Sequence, residues 1–540
     1  MVSDLALING KIVTVDSKES TAEAVAVKYG RIVAVGSTKD IKSLADKETK
    51  IIDLKGRTVI PGLNDSHCHF ASMSEGIPLA MGNIDASYEA GIRSLADITA
   101  KISEQARKKP RGEWIMVMKE DESKLAEKRH PTKWDLDRVA PDHPVMVDTV
   151  GGHFAITNSK AFDMAGITKN SPDPMGGRFE RDAQTGELTG WIHERARRVF
   201  IQGMLPREPT LEEAMNGLHW MANQYVAAGL TCAWDGYVAS PILIRALKNL
   251  LNQGKLPLRI RMDIYYELMA HLAALGIGEG FGDDMLRICG IKVTCDGAIS
   301  ARTAWVADPY LHRPNYYGEP AITEEVLHEI VMKGYPQGYR FSLHANGERA
   351  INMALDVLEE AQTKSPRQDP RNRIIHCTVV TPEIIARIKK LRILPTIFGP
   401  YPYYHGDKIL PAFGAERLER MFAARSFLKE GIKVSAHSDH SASPFPPLMG
   451  IHALVNRKSA NGQPIGTSQK ISVMEALKLY TINAAYHSFE EEIMGSIEPG
   501  KFADMVVLGR DILRVPTETI INIPIDMTIV DGQIAYQRQD

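Results

Sequence analysis

The segment TVIPGLNDSHCHF at residues 58–70 is a short apolar run that ends in polar residues, among them His67 and His69. Side chains two positions apart point to the same face of a β-strand, so these two imidazoles could chelate one metal ion. The pattern has little weight by itself, because 17 histidines in 540 residues predict roughly 0.5 His-x-His occurrences by chance. Its position carries more weight, since parallel α/β folds place their chemistry at the carboxyl ends of strands.

Seven further runs of the same kind follow along the chain. They occupy residues 230–236, 257–266, 290–298, 339–347, 371–380, 392–400 and 432–441. Helical periodicity lies between most of them, for example at 211–229 and 347–364. Eight strands that alternate with helices predict an α/β fold, a (β/α)8 TIM barrel. A doubly wound parallel sheet is the alternative, which the absence of a G-x-G-x-x-G motif after the first strand disfavours.

The other segments predict two additions to this barrel, which spans residues 61–485. Residues 1–60 and 486–540 carry short runs of alternating apolar and polar residues between Gly and Asp, which predict the two parts of one small, discontinuous β-sandwich. In the N-terminal part this pattern predicts an antiparallel meander. Residues from about 71 to 210 are too many for one crossover and predict an inserted cap after strand 1.

The composition disfavours several classes of partner. Lys plus Arg number 64 and Asp plus Glu number 66, a net charge of −2 without a long basic run, so neither nucleic acid nor a membrane is expected as a partner. The chain shows neither an apolar run of about 18 residues nor the features of a signal peptide. Its five cysteines, an odd number, are expected to be reduced thiols. We therefore expect a cytoplasmic protein that acts on a small-molecule substrate and could assemble as a homodimer.

Four more polar residues stand in or at the ends of the later predicted strands. Lys292 lies in strand 4, His344 ends strand 5, His376 ends strand 6 and Asp439 ends strand 8. In a barrel these strand ends meet at one rim, which predicts a metal centre together with the two histidines of strand 1. The alternative for any single histidine is a buried core residue with satisfied hydrogen bonds.

Lys292 is flanked by apolar residues and is predicted to face the barrel interior together with Thr294 and Asp296. A lone lysine in such a run normally extends to solvent. On strand 4 of a metal-containing barrel it can instead react with CO2. The resulting carbamate carries one negative charge and can bridge two cations that a free ammonium would repel. We expect the carboxylated form.

These motifs together resemble the amidohydrolase superfamily, and more narrowly its amidohydrolase-3 branch, which includes N-substituted formamide deformylases. The resemblance spans essentially the whole chain. Its motifs are VIPGLNDSHCH with His67 and His69, GGHFAITNS with His153, GELTGWIHE ending at Glu194, KVTCDGAISARTA with Lys292, HANGERAI with His344, IIHC with His376, SAHSDHS with Asp439, and GSIEPGKFADMVVL near the C-terminus. The chain departs from the branch at strand 8, where His440 and Ser441 stand in place of the usual Trp-Pro and His437 replaces a usual small residue.

The resemblance implies a binuclear divalent metal centre, most simply two Zn2+ ions. One ion would be held by His67, His69 and Asp439, the other by His344 and His376, with carboxylated Lys292 as the bridge. A metal-activated hydroxide would attack a polarised carbonyl, and Asp439 would carry its proton to the leaving nitrogen. His153 would bind the carbonyl oxygen or the developing oxyanion.

The leading interpretation is a metal-dependent amidohydrolase that cleaves a C–N bond in an N-substituted amide, formamide or carbamate. A deaminase, or a hydrolase of cyclic amides or lactones on the same metals, is the alternative among enzymes. A non-catalytic scaffold is disfavoured, because such a protein would be expected to have lost ligands.

Candidate substrate contacts are aromatic and basic residues on the predicted rim loops. Arg302 and Trp305 follow strand 4, Tyr403 follows strand 7, and His440 follows Asp439. With His153 of the insertion they predict a pocket for an apolar or aromatic substituent, in which Arg302 would bind a substrate carboxylate. Ordinary packing between cap and barrel, and a surface salt bridge of Arg302, are the alternatives.

Overall fold

The eight predicted runs form one parallel sheet in which the strands are neighbours in chain order. In the computed structural model the strands are Leu63–Cys68, Leu230–Val238, Arg259–Tyr265, Leu286–Thr294, Phe341–Ala345, Arg373–His376, Leu394–Phe398 and Ser435–His437. We call them barrel strands 1 to 8. Almost all their residues are buried, as expected for a parallel sheet with both faces covered. The prediction of an α/β barrel is confirmed.

The structure describes residues 2–71, 76–88, 90–150, 154–174, 177–201 and 208–539. The chain divides into two compact units, one of Met1–Met73 with His219–Asp540 and the other of Ser74–Leu218. Within the ranges just given, no helix is long and apolar enough to cross a membrane.

The end of barrel strand 1 is hydrogen-bonded through the backbone to the residues that directly follow barrel strand 8. The amide of Asp439 donates to the carbonyl of His67 at 3.0 Å, and the amide of His69 donates to the carbonyl of His440 at 2.6 Å. The same backbone that closes the barrel therefore carries three residues predicted to bind metal.

Helices follow most of the barrel strands, as the sequence periodicity indicates. They are Leu211–Ala227, Pro241–Asn252, Met269–Ala274, Glu324–Gly334, Glu348–Lys364, Pro382–Leu391, Gly406–Leu418, Ala424–Lys429, Pro447–Asn456, Val473–Leu479 and Ile482–His487. The helix that begins at Pro382 illustrates why these segments are helical. Thr381 accepts a hydrogen bond from the amide of Ile384, proline occupies the first helical position, and Ile384, Ile388 and Leu391 are buried along one face.

Two further sheets are built from the ends of the chain, the first from N-terminal segments alone and the second from N-terminal and C-terminal segments. In spatial order, one contains Arg31–Gly36, Ala24–Lys28, Leu5–Ile8 and Lys50–Asp53, and the other contains Gln533–Gln537, Ile525–Val530, Met505–Leu508, Thr58–Pro61, Lys11–Val13 and Thr21–Ala22. Leu7 and Val25 of the first sheet belong to the same buried cluster as Val59, Met505 and Ile529 of the second. The two ends of the chain therefore share one hydrophobic core.

The expected antiparallel meander at the N-terminus is wrong. Leu5–Ile8 pairs in parallel with Lys50–Asp53 and antiparallel with Ala24–Lys28, whereas Lys11–Val13 lies in the other sheet. Asn9, with a φ of 56°, turns the chain between the two sheets. Alternation of apolar and polar residues indicates a strand and its buried face, but it does not identify the strand's partner.

Residues 74–218 form a mixed sheet with buried clusters of their own. In spatial order its strands are Gly177–Arg181, Leu188–Glu194, Phe154–Thr157, Val145–Thr149, Ile115–Glu120 and Ile84–Asp85, and its helices include Leu95–Lys108, Lys133–Asp137 and Ser159–Ala165. Successive residues of one strand enter different clusters: Ile115 and Val117 belong to one, and Met116 belongs to the other. This period of two shows that the sheet is covered on both faces.

Two buried salt bridges connect barrel strand 3 to the C-terminal segment. Arg261 donates to both carboxylate oxygens of Glu490, at 2.6 and 2.7 Å, and neither side chain is exposed. Arg259 donates in the same bidentate way to Asp504, at 2.7 and 3.0 Å. A buried pair of this kind contributes little relative to apolar residues, but the loss of one partner leaves a charge without compensation.

We therefore expect Glu490→Ala to lower the free energy of unfolding by about 3–5 kcal/mol, because it leaves the Arg261 guanidinium buried and unpaired. The double variant Arg261→Met with Glu490→Leu should regain most of that loss. Urea titration followed by tryptophan fluorescence measures both. Lys364→Ala, which breaks the exposed pair with Glu360, is the control and should have no measurable effect. Equal midpoints for Glu490→Ala and Lys364→Ala would contradict the prediction.

Candidate metal centre

Barrel strands 1, 4 and 8 bring a first group of predicted ligands together. Asp439 Oδ1 lies 3.2 Å from His67 Nε2 and 3.3 Å from His69 Nε2. Lys292 Nζ lies 3.4 Å from His67 Nε2. Four side chains from three separate segments of the chain thus place nitrogen or oxygen atoms close together.

The histidines of barrel strands 5 and 6 form a second group beside the first. His344 Nδ1 and His376 Nε2 are 3.0 Å apart, and the ring centroids of His67 and His376 are 5.3 Å apart. Among the described residues, His67, His376 and Asp439 form the one group of at least three His, Cys, Asp or Glu side chains whose ligand atoms all lie within 4.8 Å of one another.

The donor set fits divalent metal ions. Two ligands of a tetrahedral zinc ion are about 3.4 Å apart, since zinc–nitrogen and zinc–oxygen bonds are about 2.0–2.2 Å long; the separations of 3.2 and 3.3 Å at Asp439 match this spacing. Asp439 Oδ1 is buried and has no hydrogen-bond partner in the described part of the chain. A buried carboxylate oxygen in that position requires a cation.

The protonation states suit metal binding as well. Burial holds the pKa of His67 and the pKa of His376 well below the ordinary value, so both imidazoles are neutral and can act as ligands. Lys292 is 1% exposed, and burial lowers its pKa to about 8. The lower pKa raises the share of neutral amine at neutral pH, and the neutral amine is the form that reacts with CO2.

Local sequence explains how these side chains are held. Gly236 of barrel strand 2 lies against His67, and a Cβ atom there would come within 2.0 Å of the His67 ring, so only glycine allows the two strands to approach. Asp65 accepts hydrogen bonds from the Ser438 amide at 3.0 Å and from the Ser438 hydroxyl. Burial raises the pKa of Asp65 to about 7. The contact of Gly236 with His67 and the hydrogen bonds from Ser438 to Asp65 join the ends of neighbouring strands beside the predicted ligands.

Comparison with known proteins identifies the family of the chain. The sequence model of the amidohydrolase family matches residues 50–536. The chain belongs to the amidohydrolase family. It is thus a hydrolytic enzyme of the metal-dependent amidohydrolase superfamily.

This amidohydrolase is similar to several proteins over nearly its whole length. It is 28% identical to YtcJ of Bacillus subtilis (strain 168), with 98% of each chain covered. It is also 28% identical to the N-substituted formamide deformylase of Arthrobacter pascens, with 99% of this chain and 98% of the relative covered. The structure of an uncharacterized metal-dependent hydrolase from Pyrococcus horikoshii OT3 matches with a TM-score of 0.76 and 26% identity, covering 95% of this chain and 99% of that one.

The described residues of the amidohydrolase that are predicted to contact the substrate have different neighbours in the structure. Arg302 and Trp305 lie in the loop after barrel strand 4, both half-buried, and the Trp305 amide donates to Asp296 at 2.9 Å. The ring of Tyr403 packs on that of His452, with the centroids 5.0 Å apart. His153 lies outside the described residues.

His440 is part of an aromatic cluster. It is 2% exposed, its Nδ1 lies 3.1 Å from the hydroxyl of Tyr225, and its ring meets Phe445 edge to face with the centroids 4.9 Å apart. Tyr225 and Phe445 in turn stack on each other. These contacts fix the His440 ring from two sides.

A row of tyrosines at the ends of barrel strands 2 and 3 was not predicted from the sequence. The ring of Tyr237 lies 6.2 Å from the ring of His69 and 4.4 Å from that of Tyr265, which lies 4.8 Å from that of Tyr266. The pair Tyr265–Tyr266 closes a predicted strand, so the rule that strand ends carry function could have found it. Tyr237 lies one residue beyond the predicted end of strand 2 and gave no such signal.

Two buried aspartates at strand ends also had no predicted role. Asp235 accepts a hydrogen bond from the Ala71 amide at 2.9 Å, and burial raises its pKa to about 6. Asp296 accepts from the amides of Asn346, Gly347 and Trp305, each at 2.9 Å. Each carboxylate fixes backbone next to the candidate centre.

Because His440 is fixed by Tyr225 and Phe445, we expect it to shape the site without transferring a proton. His440→Ala should change the turnover number by less than about tenfold, well short of the loss of about 10² to 10⁴ that follows removal of a general acid or base. Steady-state kinetics with the metal content checked measures the effect, and Tyr225→Phe, which removes only the hydroxyl, is the control. A loss of 10² or more with full metal content would contradict this role.

Proposed function

We propose that the chain hydrolyses a C–N bond in an N-substituted amide, formamide or carbamate, using two divalent ions that are most simply Zn2+. The observation that carries the proposal is the buried Asp439 carboxylate, whose Oδ1 lies within 3.3 Å of the Nε2 atoms of His67 and His69. The full-length similarity to an N-substituted formamide deformylase supports the reaction class. For a formamide the balance is RNHCHO plus water to RNH2 plus formic acid.

In this proposal the two groups of side chains hold separate ions. One ion would be held by His67, His69 and Asp439, the other by His344 and His376, and Lys292 as a carbamate would contact both. The position of Lys292 Nζ beside His67 supports this role, because a carbamate extends from Nζ into the centre. The carbamate and Asp439 supply two negative charges against the four positive charges of the ions, so the centre stays electrophilic.

When bound, the ions would lower the pKa of a coordinated water toward about 7 and polarise the substrate carbonyl. The chain's own contribution is proton transfer and positioning. The Asp439 carboxylate would take the proton from the attacking water and deliver it to the leaving nitrogen. His153 would bind the carbonyl oxygen, which stays a prediction.

The substituent on the amide would lie against the tyrosine row. Tyr237 is the member nearest to His69, and Tyr265 lies beside Lys292 in the register of barrel strands 3 and 4. Aromatic walls of this kind favour apolar groups and bind them with fixed orientation. A panel of N-substituted formamides, amides and carbamates, with adenine, cyclic amides and lactones as competing classes, tests the substrate class. Formate or amine release reports the amides, formamides and carbamates, ammonia release reports adenine, and acid release reports the lactones.

The proposed metal centre leads to a prediction of how many divalent ions each chain holds. After metal-supplemented expression the chain should hold about two divalent ions and lose activity on chelation, whereas Lys292→Ala should retain about one and lose most activity. Added acetate or propionate should partly restore Lys292→Ala by occupying the vacated space. Elemental analysis measures the content.

The control is Lys501→Ala, which removes another largely buried lysine, one that donates hydrogen bonds to the backbone carbonyl of Glu491 and to the Ser496 hydroxyl. It should keep both ions. Less than half an equivalent in the wild-type chain would contradict the proposed centre. Two ions and full activity in Lys292→Ala would contradict the bridging role alone.

Asp439→Asn separates the acid–base role from metal binding. It keeps the shape and one oxygen donor but removes the basic group, so much of the metal should remain while the turnover number falls by about 10² to 10⁴. Turnover against pH, with metal content measured on the same sample, checks this. A doubly loaded Asp439→Asn enzyme with a near wild-type rate would be incompatible with the proposed proton transfer.

A further inference from the structure

His437 is a fully buried histidine of barrel strand 8 that contacts a predicted ligand but has no role so far. Its Nε2 lies 3.3 Å from His376 Nδ1, and its side chain has no exposed surface. The two ring centroids are 5.0 Å apart, and the ring planes are inclined by 58°. This tilt allows an in-plane nitrogen of one ring to approach the other ring's nitrogen.

The two ring nitrogens of His376 face different partners. Its Nε2 faces His344 Nδ1 at 3.0 Å, inside the candidate centre, whereas its Nδ1 faces His437. A neutral imidazole carries one proton, so a ring that offers the Nε2 lone pair to an ion must be protonated at Nδ1. That Nδ1–H group points at His437 Nε2.

We propose that His437 is a positioning residue that accepts this hydrogen bond and thereby selects the Nδ1-protonated form of His376. The inference rests on the metal centre of the proposed function. Phe398 restrains the same ring in another way, since it stacks on His376 with the centroids 4.4 Å apart and the planes within 9°. Stacking fixes the plane of the His376 ring, and the contact with His437 fixes its rotation within that plane.

The arrangement distinguishes the two proposed ion sites. His344 has a comparable contact, because its Nε2 lies 3.2 Å from the carbonyl of Gly297. The Nδ1 atoms of His67 and His69, in contrast, are buried without hydrogen-bond partners in the described part of the chain. The two histidines of the second site are therefore oriented by hydrogen bonds on the side away from the ion. Loss of His437 should weaken the ion of that site selectively, since such outer contacts set ligand orientation and basicity.

The experiment is a zinc titration of the metal-free full-length protein against a chromophoric chelator. His437→Phe removes the acceptor at similar volume, and His437→Gln can place its Oε1 oxygen near the position of Nε2. We expect His437→Phe to weaken one zinc equivalent by about 10- to 100-fold and the other by less than about threefold, with His437→Gln within about threefold of wild type at both. Cobalt loading gives a second readout, in which the d–d spectrum of the weakened equivalent should change in His437→Phe and return in His437→Gln.

The control is His487→Gln, which alters another fully buried histidine of the same unit, one bound to Ser435 and the Lys433 carbonyl. It should leave both zinc equivalents unchanged. If His437→Phe does not fold, His437→Asn replaces it, because its shorter side chain cannot reach His376 and should weaken the same equivalent while His437→Gln does not.

The possible results of the zinc titration lead to different conclusions. Two tight equivalents in wild type and in the Phe or Asn variant would overturn the role of His437 and leave the proposed function intact. Weakening that His437→Gln does not reverse would overturn the hydrogen-bonding role in favour of His437 as a direct ligand. A wild-type chain that binds no zinc would overturn both the proposed function and this inference.

Discussion

The Asp439 carboxylate at the end of barrel strand 8 is the group around which the described site is built. It is buried, its Oδ1 accepts no hydrogen bond within the described ranges, and two histidine nitrogens lie within 3.3 Å of that oxygen. A carboxylate in such surroundings is costly unless positive charge compensates it. Burial keeps the nearby imidazole of His67 neutral, so this histidine does not supply the compensation. A divalent ion would supply the positive charge, and the neighbouring histidines are its predicted ligands.

The closure of the barrel between strands 1 and 8 places the histidines beside Asp439. The amide of Asp439 and the carbonyl of His67 are hydrogen-bonded across the junction of strands 1 and 8, so the backbone sets the positions of these two predicted ligands. Asp65 and Ser438 reinforce the same junction from neighbouring positions. On strand 3, the buried pairs of Arg259 and Arg261 join the barrel to the C-terminal segment. Rigid strands of this kind hold ligand atoms to the precision that metal coordination demands.

Sequence patterns predicted the parts of this architecture that depend on local chemistry. The eight apolar runs became the eight barrel strands, because a parallel strand buried on both faces needs an unbroken apolar run. The N-terminal meander was wrong, because Leu5–Ile8 and Lys11–Val13 enter different sheets although both alternate in the same way. The tyrosine row was missed for a related reason. Tyr237 and Tyr265 come from different strands, and only the register between those strands places their rings 4.4 Å apart.

The strand order, the residue types at the strand ends and the family could all be predicted from the sequence, since each depends on periodicity and on motifs along one chain. The contacts between individual atoms became visible only in the folded chain. The letters of the sequence do not show that His376 directs Nε2 toward His344 and Nδ1 toward His437, nor that Tyr225 and Phe445 enclose His440. Such contacts depend on the stagger between barrel strands and on side-chain rotation, and a shift of one residue in register would turn each side chain to the opposite face of the sheet.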